Sequence, residues 1–308
     1  MNAKLKKGKK ILSDGGVIIF PTETVYGLGA DATNTKAVKK IYKFKKRPRN
    51  NPIICHFKNI NEIEKNFILN DDAYKLANNL WPGPLTLILE KKNKSKISKA
   101  VSNNKKLIGC RIPSNPIAKK LLFSVDFPIA APSANLSTML SSTKISHLSN
   151  DLKNKIFFID GGRCVYGLES TVVKINDNKP VILRLGSITI ETIRKIIPKI
   201  KLNNLINSKL SPGQQIKHYS PNKPIRINVK KIMKGEALLN FGKNNLKSKL
   251  KELNLSSSSN LDEAAKNFYD YLHKLDVSKC DVIAVAPIPN NNLGKTMNDR
   301  LKRASSIE

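Results

Sequence analysis

The chain has 308 residues, long enough for one large domain and one small one, each able to bury a core. Its 55 Lys+Arg against 23 Asp+Glu leave a formal charge of +32, but only 9 of the basic residues are arginine and the lysines run through every segment. The excess therefore reads as a chain-wide compositional drift that would steer polyanions at long range, not as one binding patch. No run of eighteen apolar residues occurs, which excludes a membrane-spanning helix, and four separated cysteines (Cys55, Cys110, Cys164, Cys280) without a Cys-x-x-Cys exclude a cysteine zinc site and fit reduced thiols in a cytosol.

Residues 4–14 read as a short basic helix stopped by Gly15-Gly16. Its apolar run, Ile11-Leu12, is too short for a secretory core. Val17-Ile18-Ile19-Phe20 is a buried strand, and Pro21 to Thr24 turn out of it, which puts Thr24 just past a strand end, where α/β sheets place ligand contacts. Thr33-Asn34-Thr35 can cap a helix with Ala37, Val38, Ile41 and Tyr42 on its apolar face. That helix delivers Lys45 and Arg47 into a loop that Pro48 keeps from continuing as helix, and two fixed cations call for an anionic guest. Pro52 to Phe57 follow as a strand buried on both faces, interrupted by His56.

Asp71 to Trp81 form a helix with Leu76 and Leu80 inward, and Trp81-Pro82-Gly83-Pro84 connect it to the strand Leu85 to Leu89. Residues 91–106 are rich in lysine and serine, which predicts a mobile loop over the sheet edge. Leu107 to Pro113 make a strand carrying a single arginine, Arg111, which needs a carboxylate from the protein or from a ligand. After a helix over Asn115 to Val125, the apolar run Pro128 to Pro132 ends in Ser133 and Asn135, a hydroxyl and an amide suited to phosphate or ribose oxygens. Taken alone, a Lys-x-Arg is usually solvated surface and a Ser-x-Asn usually a turn.

Ile156 to Ile159 read as a further strand, and Ser170 to Val173 with Val181 to Arg184 as a hairpin-like pair about an Asn-Asp-Asn turn. A helix over Thr189 to Ile197 closes a first domain, residues 1–204. Residues 205–224 lack periodicity and read as a linker, yet contain Lys217-His218-Tyr219-Ser220-Pro221, a cluster built to touch something. In residues 225–308, the strand Ala237 to Phe241, a helix Asp262 to Leu275 capped by Asn260, the strand Val282 to Ala286 and a final helix from Asn298 after Gly294 make a small Rossmann-like α/β domain. It lacks G-x-G-x-x-G, so no dinucleotide is assigned to it.

Six stretches in order, PTETVYGLG from Pro21, KKRPRNNPIICHF from Lys45, WPGPLTLIL from Trp81, CRIPSNP from Cys110, APSANLS from Ala131 and GLESTVV from Gly167, resemble the YrdC-like threonylcarbamoyl-AMP synthases over roughly residues 11–190. SPGQQIKHYSP from Ser211 resembles the linker of the long, two-domain form. The resemblance implies a twisted mixed sheet with flanking helices and a cytoplasmic nucleotidyltransferase that joins L-threonine, bicarbonate and ATP into L-threonylcarbamoyladenylate and pyrophosphate. That product feeds threonylcarbamoyladenosine modification of tRNA, so tRNA or tRNA-modification enzymes are expected downstream. By the same resemblance Lys45, Arg47, Ser133 and Asn135 form a triphosphate-binding tetrad. ATP is expected to meet Arg47, Asn51, Leu107 through its main chain, Ser133, Ser141, Arg184 and Tyr219. Thr24, His56, Arg111, Ala131 and Ser170 are expected to line the threonine site, and Mg²⁺ to arrive with ATP and not in a cage of protein side chains. Lys46 stands where the family often has glycine, as does Thr138, and Leu185 replaces a proline.

The chemistry fits that set, since cationic and neutral donors at strand ends position a polyanion beside a carboxylate and supply no attacking atom. Two rivals are a non-catalytic RNA-binding module, whose affinity would fall steeply with salt, and a carbamoyl-phosphate-using enzyme of the same fold.

Overall fold

The computed structural model describes residues 2–175, 179–203 and 219–305. Asparagine starts most of the early helices. Asn2 Oδ1 accepts from the Leu5 N–H to begin α1 (Ala3–Ser13), and after the strands β1 (Ile18–Phe20) and β2 (Gly27–Asp31), Asn34 does the same for α2 (Thr35–Lys45). Asn59 and Asn70 then cap α3 (Ile60–Asn66) and α4 (Asp71–Leu80), on either side of β4 (Phe67–Ile68) and after β3 (Cys55–His56). The chain continues through β5 (Leu85–Lys91), β6 (Leu107–Arg111), α5 (Pro116–Ser124), β7 (Ile129–Ala130), α6 (Asn150–Lys155), β8 (Phe157–Phe158), β9 (Thr171–Lys174), β10 (Val181–Arg184), α7 (Ile190–Ile196) and β11 (Lys201–Leu202).

These strands form one mixed sheet in the order β11-β10-β9-β5-β6-β3-β7-β2-β1-β8, with β4 against β5. Its centre sets the site. β3 runs parallel to β6 with His56 opposite Arg111, and antiparallel to β7 with His56 opposite Ile129. The register thus sets His56 beside Arg111, and the segment leaving β7 runs back past the start of β3, where the Ala131 N–H donates to the Ile54 carbonyl (2.9 Å). Phe20, Leu87, Ile108 and Ile129 are fully buried on the sheet, and burial pushes the Cys55 and Cys110 thiols up, as expected of small buried hydrophobes.

The second unit holds β12 (Ile225–Arg226), β13 (Glu236–Asn240), β14 (Glu252–Asn254), α8 (Leu261–Asp276), β15 (Val282–Val285) and α9 (Asn292–Ser305). Its sheet, β12-β15-β13-β14, is parallel throughout, which is the Rossmann-like expectation. Ala264, Ala265, Phe268, Leu272 and Leu275 of α8 bury against it.

Two expectations change. The segment 91–106 is not a loop free of the core: Ile97, Ser98, Val101 and Ser102 are buried, Ser98 N–H donates to the Ala32 carbonyl (2.9 Å), and Ile53 N–H to the Val101 carbonyl (2.9 Å). Few apolar residues suffice because they recur at the positions that face α2. The last helix begins at Asn292 and not at Asn298, with Gly294 inside it, because a Cβ at 294 would meet the Pro289 carbonyl oxygen at 1.9 Å. Both inward leucines of α4 meet the core as expected, Leu76 fully enclosed and Leu80 half-buried against it. The Asn-Asp-Asn turn and most of the expected linker, including Lys217 and His218, lie outside the described residues. Lys46 (φ 50°) and Thr138 (φ 72°) occupy left-handed backbone, which accounts for the glycine that the resembling family has there. No helix among the described residues is long and apolar enough to cross a membrane.

Candidate active site

A narrow cleft of about 560 Å³, its open mouth included, is lined by residues of these central strands and of the segments next to them. Arg47 and Ser133 are both on its wall, as are Thr24, His56, Arg111, Ala131, Ser170, Arg184 and Tyr219. Nine of the residues singled out from the sequence thus converge from seven separated stretches.

Arg47 leaves the end of α2 because Lys46 turns left-handed and stops the helix. Its Nε donates to the Asn51 carbonyl (3.1 Å), and its Nη2 to Asn51 Oδ1 (2.5 Å) and the Pro52 carbonyl (2.9 Å). These bonds leave the guanidinium edge aimed at the cleft. Burial, with some repulsion from Arg184, lowers Arg47 to about 10, so it stays charged at neutral pH. Arg184, at the end of β10, donates from Nη2 to the Ser170 carbonyl (2.8 Å) and to Ser170 Oγ (3.1 Å). Two guanidinium groups forced toward one space favour an anion between them.

The other end of the cleft is built on Arg111. By placing Arg111 at the threonine site the resemblance chooses the ligand as the source of its carboxylate, yet the protein itself supplies one: Arg111 Nη2 meets Glu23 Oε1 at 2.5 Å, with both side chains 4% exposed. Nη1 donates to Thr24 Oγ1 (3.0 Å) and Nε to the Gly83 carbonyl (3.2 Å). Burial alone would raise the Glu23 carboxyl, but the charge of Arg111 and its hydrogen bond outweigh this and hold it below the usual range. His56 is lowered to about 3 by burial and by the neighbouring Arg111 charge, so it is neutral at physiological pH. Its buried Nδ1 has no hydrogen-bond partner among the described residues.

Five expected contacts lie off the wall. Lys45, 1% exposed, does not reach out of the last turn; its Nζ donates to the Ser133 carbonyl (2.5 Å) and the Asn135 carbonyl and so ties down the loop from behind. Burial, then Arg47, depress its ammonium well below the usual lysine range. Asn135 lines a separate hollow between the two units, its Nδ2 bonded to the Leu136 and Met139 carbonyls (2.8 Å each). Asn51 backs Arg47. Ser141 is fully buried and donates to Glu169 Oε1 (2.6 Å), and Leu107 begins β6, at the end of the strand away from Arg111.

The sequence reading missed Glu23 and Glu169. Glu169 is on the cleft wall, and the signal for it was faint: an acid in a quoted motif whose role is set by a residue 131 positions later. Gly186 packs against this segment, where a Cβ would lie 2.4 Å from Ser170 C and Thr171 N. Backbone cannot yield there, so Gly186→Ala is expected to cost about 3 kcal/mol and lower activity beyond the lost stability, measured by thermal unfolding beside initial rates.

These features define a positively lined cleft for an anion next to a small polar ligand, on a two-part α/β fold. The comparisons with known proteins agree. Residues 10–186 match the Sua5_yciO_yrdC family, described as "Telomere recombination", and residues 188–306 match "Threonylcarbamoyl-AMP synthase, C-terminal domain". The chain belongs to the Sua5/YciO/YrdC family. It is 34% identical to the threonylcarbamoyl-AMP synthase of Bacillus subtilis over 98% of this chain and 93% of the relative, and 32% identical to that of Pyrococcus abyssi over 98% and 94%. Among solved structures, P. abyssi Sua5 complexed with L-threonine superposes with a TM-score of 0.89 at 31% identity, covering 98% of this chain and 94% of that one.

Proposed function

We infer that this chain is an L-threonylcarbamoyladenylate synthase: it joins L-threonine, bicarbonate and ATP, releases pyrophosphate, and serves threonylcarbamoyladenosine modification of tRNA. The observation that carries the reading is the meeting of Arg47, Arg184 and Ser133 with His56, Arg111 and Thr24 in one cleft. Near-full-length relatives named threonylcarbamoyl-AMP synthase support it.

Threonine and bicarbonate first give an N-carboxylated threonine, with loss of water. A carboxylate oxygen of that carbamate then bonds to the α-phosphorus of ATP, and the bond to the β-phosphate bridge breaks. The attacking atom comes from substrate, so the protein's part is alignment and charge. Arg47 and Arg184 face the phosphates, with Ser133 on the loop that Lys45 and Asn135 shape. Arg111 keeps N–H donors beyond those used on Glu23, Thr24 and Gly83, and offers them to the threonine carboxylate. Neutral His56, as the Nε2–H tautomer, accepts at Nδ1 from the threonine hydroxyl or ammonium. Ala131 and Ile54 give the threonine methyl an apolar wall beside Ser170, while Tyr219 closes the cleft over the nucleotide.

Mg²⁺ fits as the counter-ion of ATP, held through phosphate oxygens, where it would offset charge on the triphosphate. The donor set supports this, because the oxygens of the wall carboxylate Glu169 are engaged by Ser141, Tyr269 and Arg300. We place the chain in the cytoplasm, with tRNA or tRNA-modification enzymes acting downstream of its product.

Pyrophosphate release from ATP is expected to require both threonine and bicarbonate. Serine, which lacks the methyl, is expected to support it about tenfold less well or worse. Release independent of the amino acid, or RNA binding without turnover, would replace this reading with one of its rivals.

A further inference from the structure

The second unit reaches the cleft wall through Arg300 of α9 and Tyr269 of α8, which both bond to Glu169. Arg300 is fully buried. Its Nε donates to Glu169 Oε2 (3.1 Å), its Nη2 to the Leu185 carbonyl (2.6 Å) and its Nη1 to Asp299, while the guanidinium lies 4.5 Å from the Tyr219 ring centroid. Tyr269 of α8 donates to the other oxygen of Glu169 (2.7 Å), which also takes the Ser141 hydroxyl (2.6 Å). Without Arg300 the cleft would hold a buried carboxylate that has lost its ion-pair partner, on the wall where a triphosphate is to bind.

We propose that Arg300 and Tyr269 are positioning residues of the second unit: they neutralise and orient Glu169 and brace Tyr219, so that the nucleotide end of the cleft keeps the net positive charge of Arg47 and Arg184. This deepens the synthase reading and rests on it for its kinetic arm. It also gives the small unit a function that needs no ligand of its own.

Burial would raise the Glu169 carboxyl; the charges of Arg300 and Arg184 and the bonds from Ser141 and Tyr269 outweigh it and bring the group down to about 2. A depressed carboxyl adds stability above its unfolded value, lost as pH falls toward 2. Removing Arg300 takes away the largest of the lowering contributions and leaves burial opposed by Arg184, Ser141 and Tyr269, so the folded carboxyl rises. The stability that Glu169 gives the wild type is reduced in the variant, and the difference closes as pH falls and the carboxyl takes a proton in both.

The test uses the full chain with Arg300→Gln, Tyr269→Phe, and the double variant Arg300→Gln with Glu169→Gln. Arg300→Gln is expected to raise KM for ATP about tenfold or more and leave KM for threonine nearly unchanged. Its deficit in Tm against wild type is expected to shrink as pH falls from about 6 to about 3. The double variant, with no charge left to balance, is expected to recover most of both losses, and Tyr269→Phe to show a smaller shift in KM for ATP in the same direction. A pH-independent Tm deficit, equal losses for both substrates, or a double variant no better than Arg300→Gln would overturn the proposal. Should Arg300→Gln not fold, the double variant and Tyr269→Phe decide it: a poorly folded double variant or an unshifted KM in Tyr269→Phe counts against. A wild-type chain without synthase activity would overturn the functional reading instead, and the pH dependence of Tm would still decide the coupling of Arg300 to Glu169.

Discussion

Arg47→Ala is expected to lower kcat/KM for ATP by about a hundred- to a thousandfold, the scale seen when one preorganised donor to a developing or transferring anion is removed. The guanidinium is held on the cleft wall by three hydrogen bonds to Asn51 and Pro52, and so costs little to orient at the moment of reaction. The same bonds limit the structural damage, since Asn51 Oδ1 and both carbonyls can turn to water that enters the opened cleft. Arg47→Lys is expected to recover only part of the loss, because an ammonium cannot serve Asn51, Pro52 and a phosphate from one planar fork. Initial rates at varied ATP with far-ultraviolet circular dichroism as the folding control make the check. Wild-type kinetics in Arg47→Ala would remove the phosphate end from this cleft.

The second large effect belongs to Arg111. Arg111→Ala is expected to cost about 3 to 5 kcal/mol of stability, since it leaves Glu23 buried without its partner. Among molecules that remain folded, threonine binding is expected to weaken more than ATP binding. Pairing Arg111→Met with Glu23→Gln should restore stability, by removing both charges, and leave threonine binding impaired. Isothermal titration of each substrate against the two variants separates the effects. Loss of ATP binding with threonine binding intact would reverse the assignment of the two ends.

Local chemistry was easy to read in this chain. The caps Asn34 and Asn260, the apolar faces of α2 and α8, and the strands β1, β5, β6, β9, β10, β13 and β15 stand where composition and periodicity predict. Two-residue strands such as β4, β11 and β12 were invisible, because a ladder that short carries no alternation and exists through its neighbours. β2 was hidden differently. Its glycines are needed for contact, a Cβ at Gly29 falling 2.6 Å from Phe20 Cε1, so the strand lacks the β-branched residues that would announce it.

The cleft itself was legible as a set of cations and hydroxyls, and a lone arginine in an apolar strand correctly demanded a carboxylate. Which carboxylate was not legible, because Glu23 and Arg111 are 88 positions apart. Lys45 shows the reverse error. A lysine at the end of a helix reads as an exposed cation, yet the carbonyls of Ser133 and Asn135 form a buried seat for it that no local pattern announces. Glu169 and Arg300 were missed for the same reason as Glu23, and they belong to different units of the chain.

The joining of threonine, bicarbonate and ATP on one wall is tested most directly by following the carbon. Purified chain is incubated with ATP, threonine and isotopically labelled bicarbonate, and the nucleotide products are separated and weighed by mass spectrometry. The expected product is an adenylate that carries both the label and threonine, formed in step with pyrophosphate. Pyrophosphate without such an adenylate, or an adenylate of threonine without the label, would contradict it.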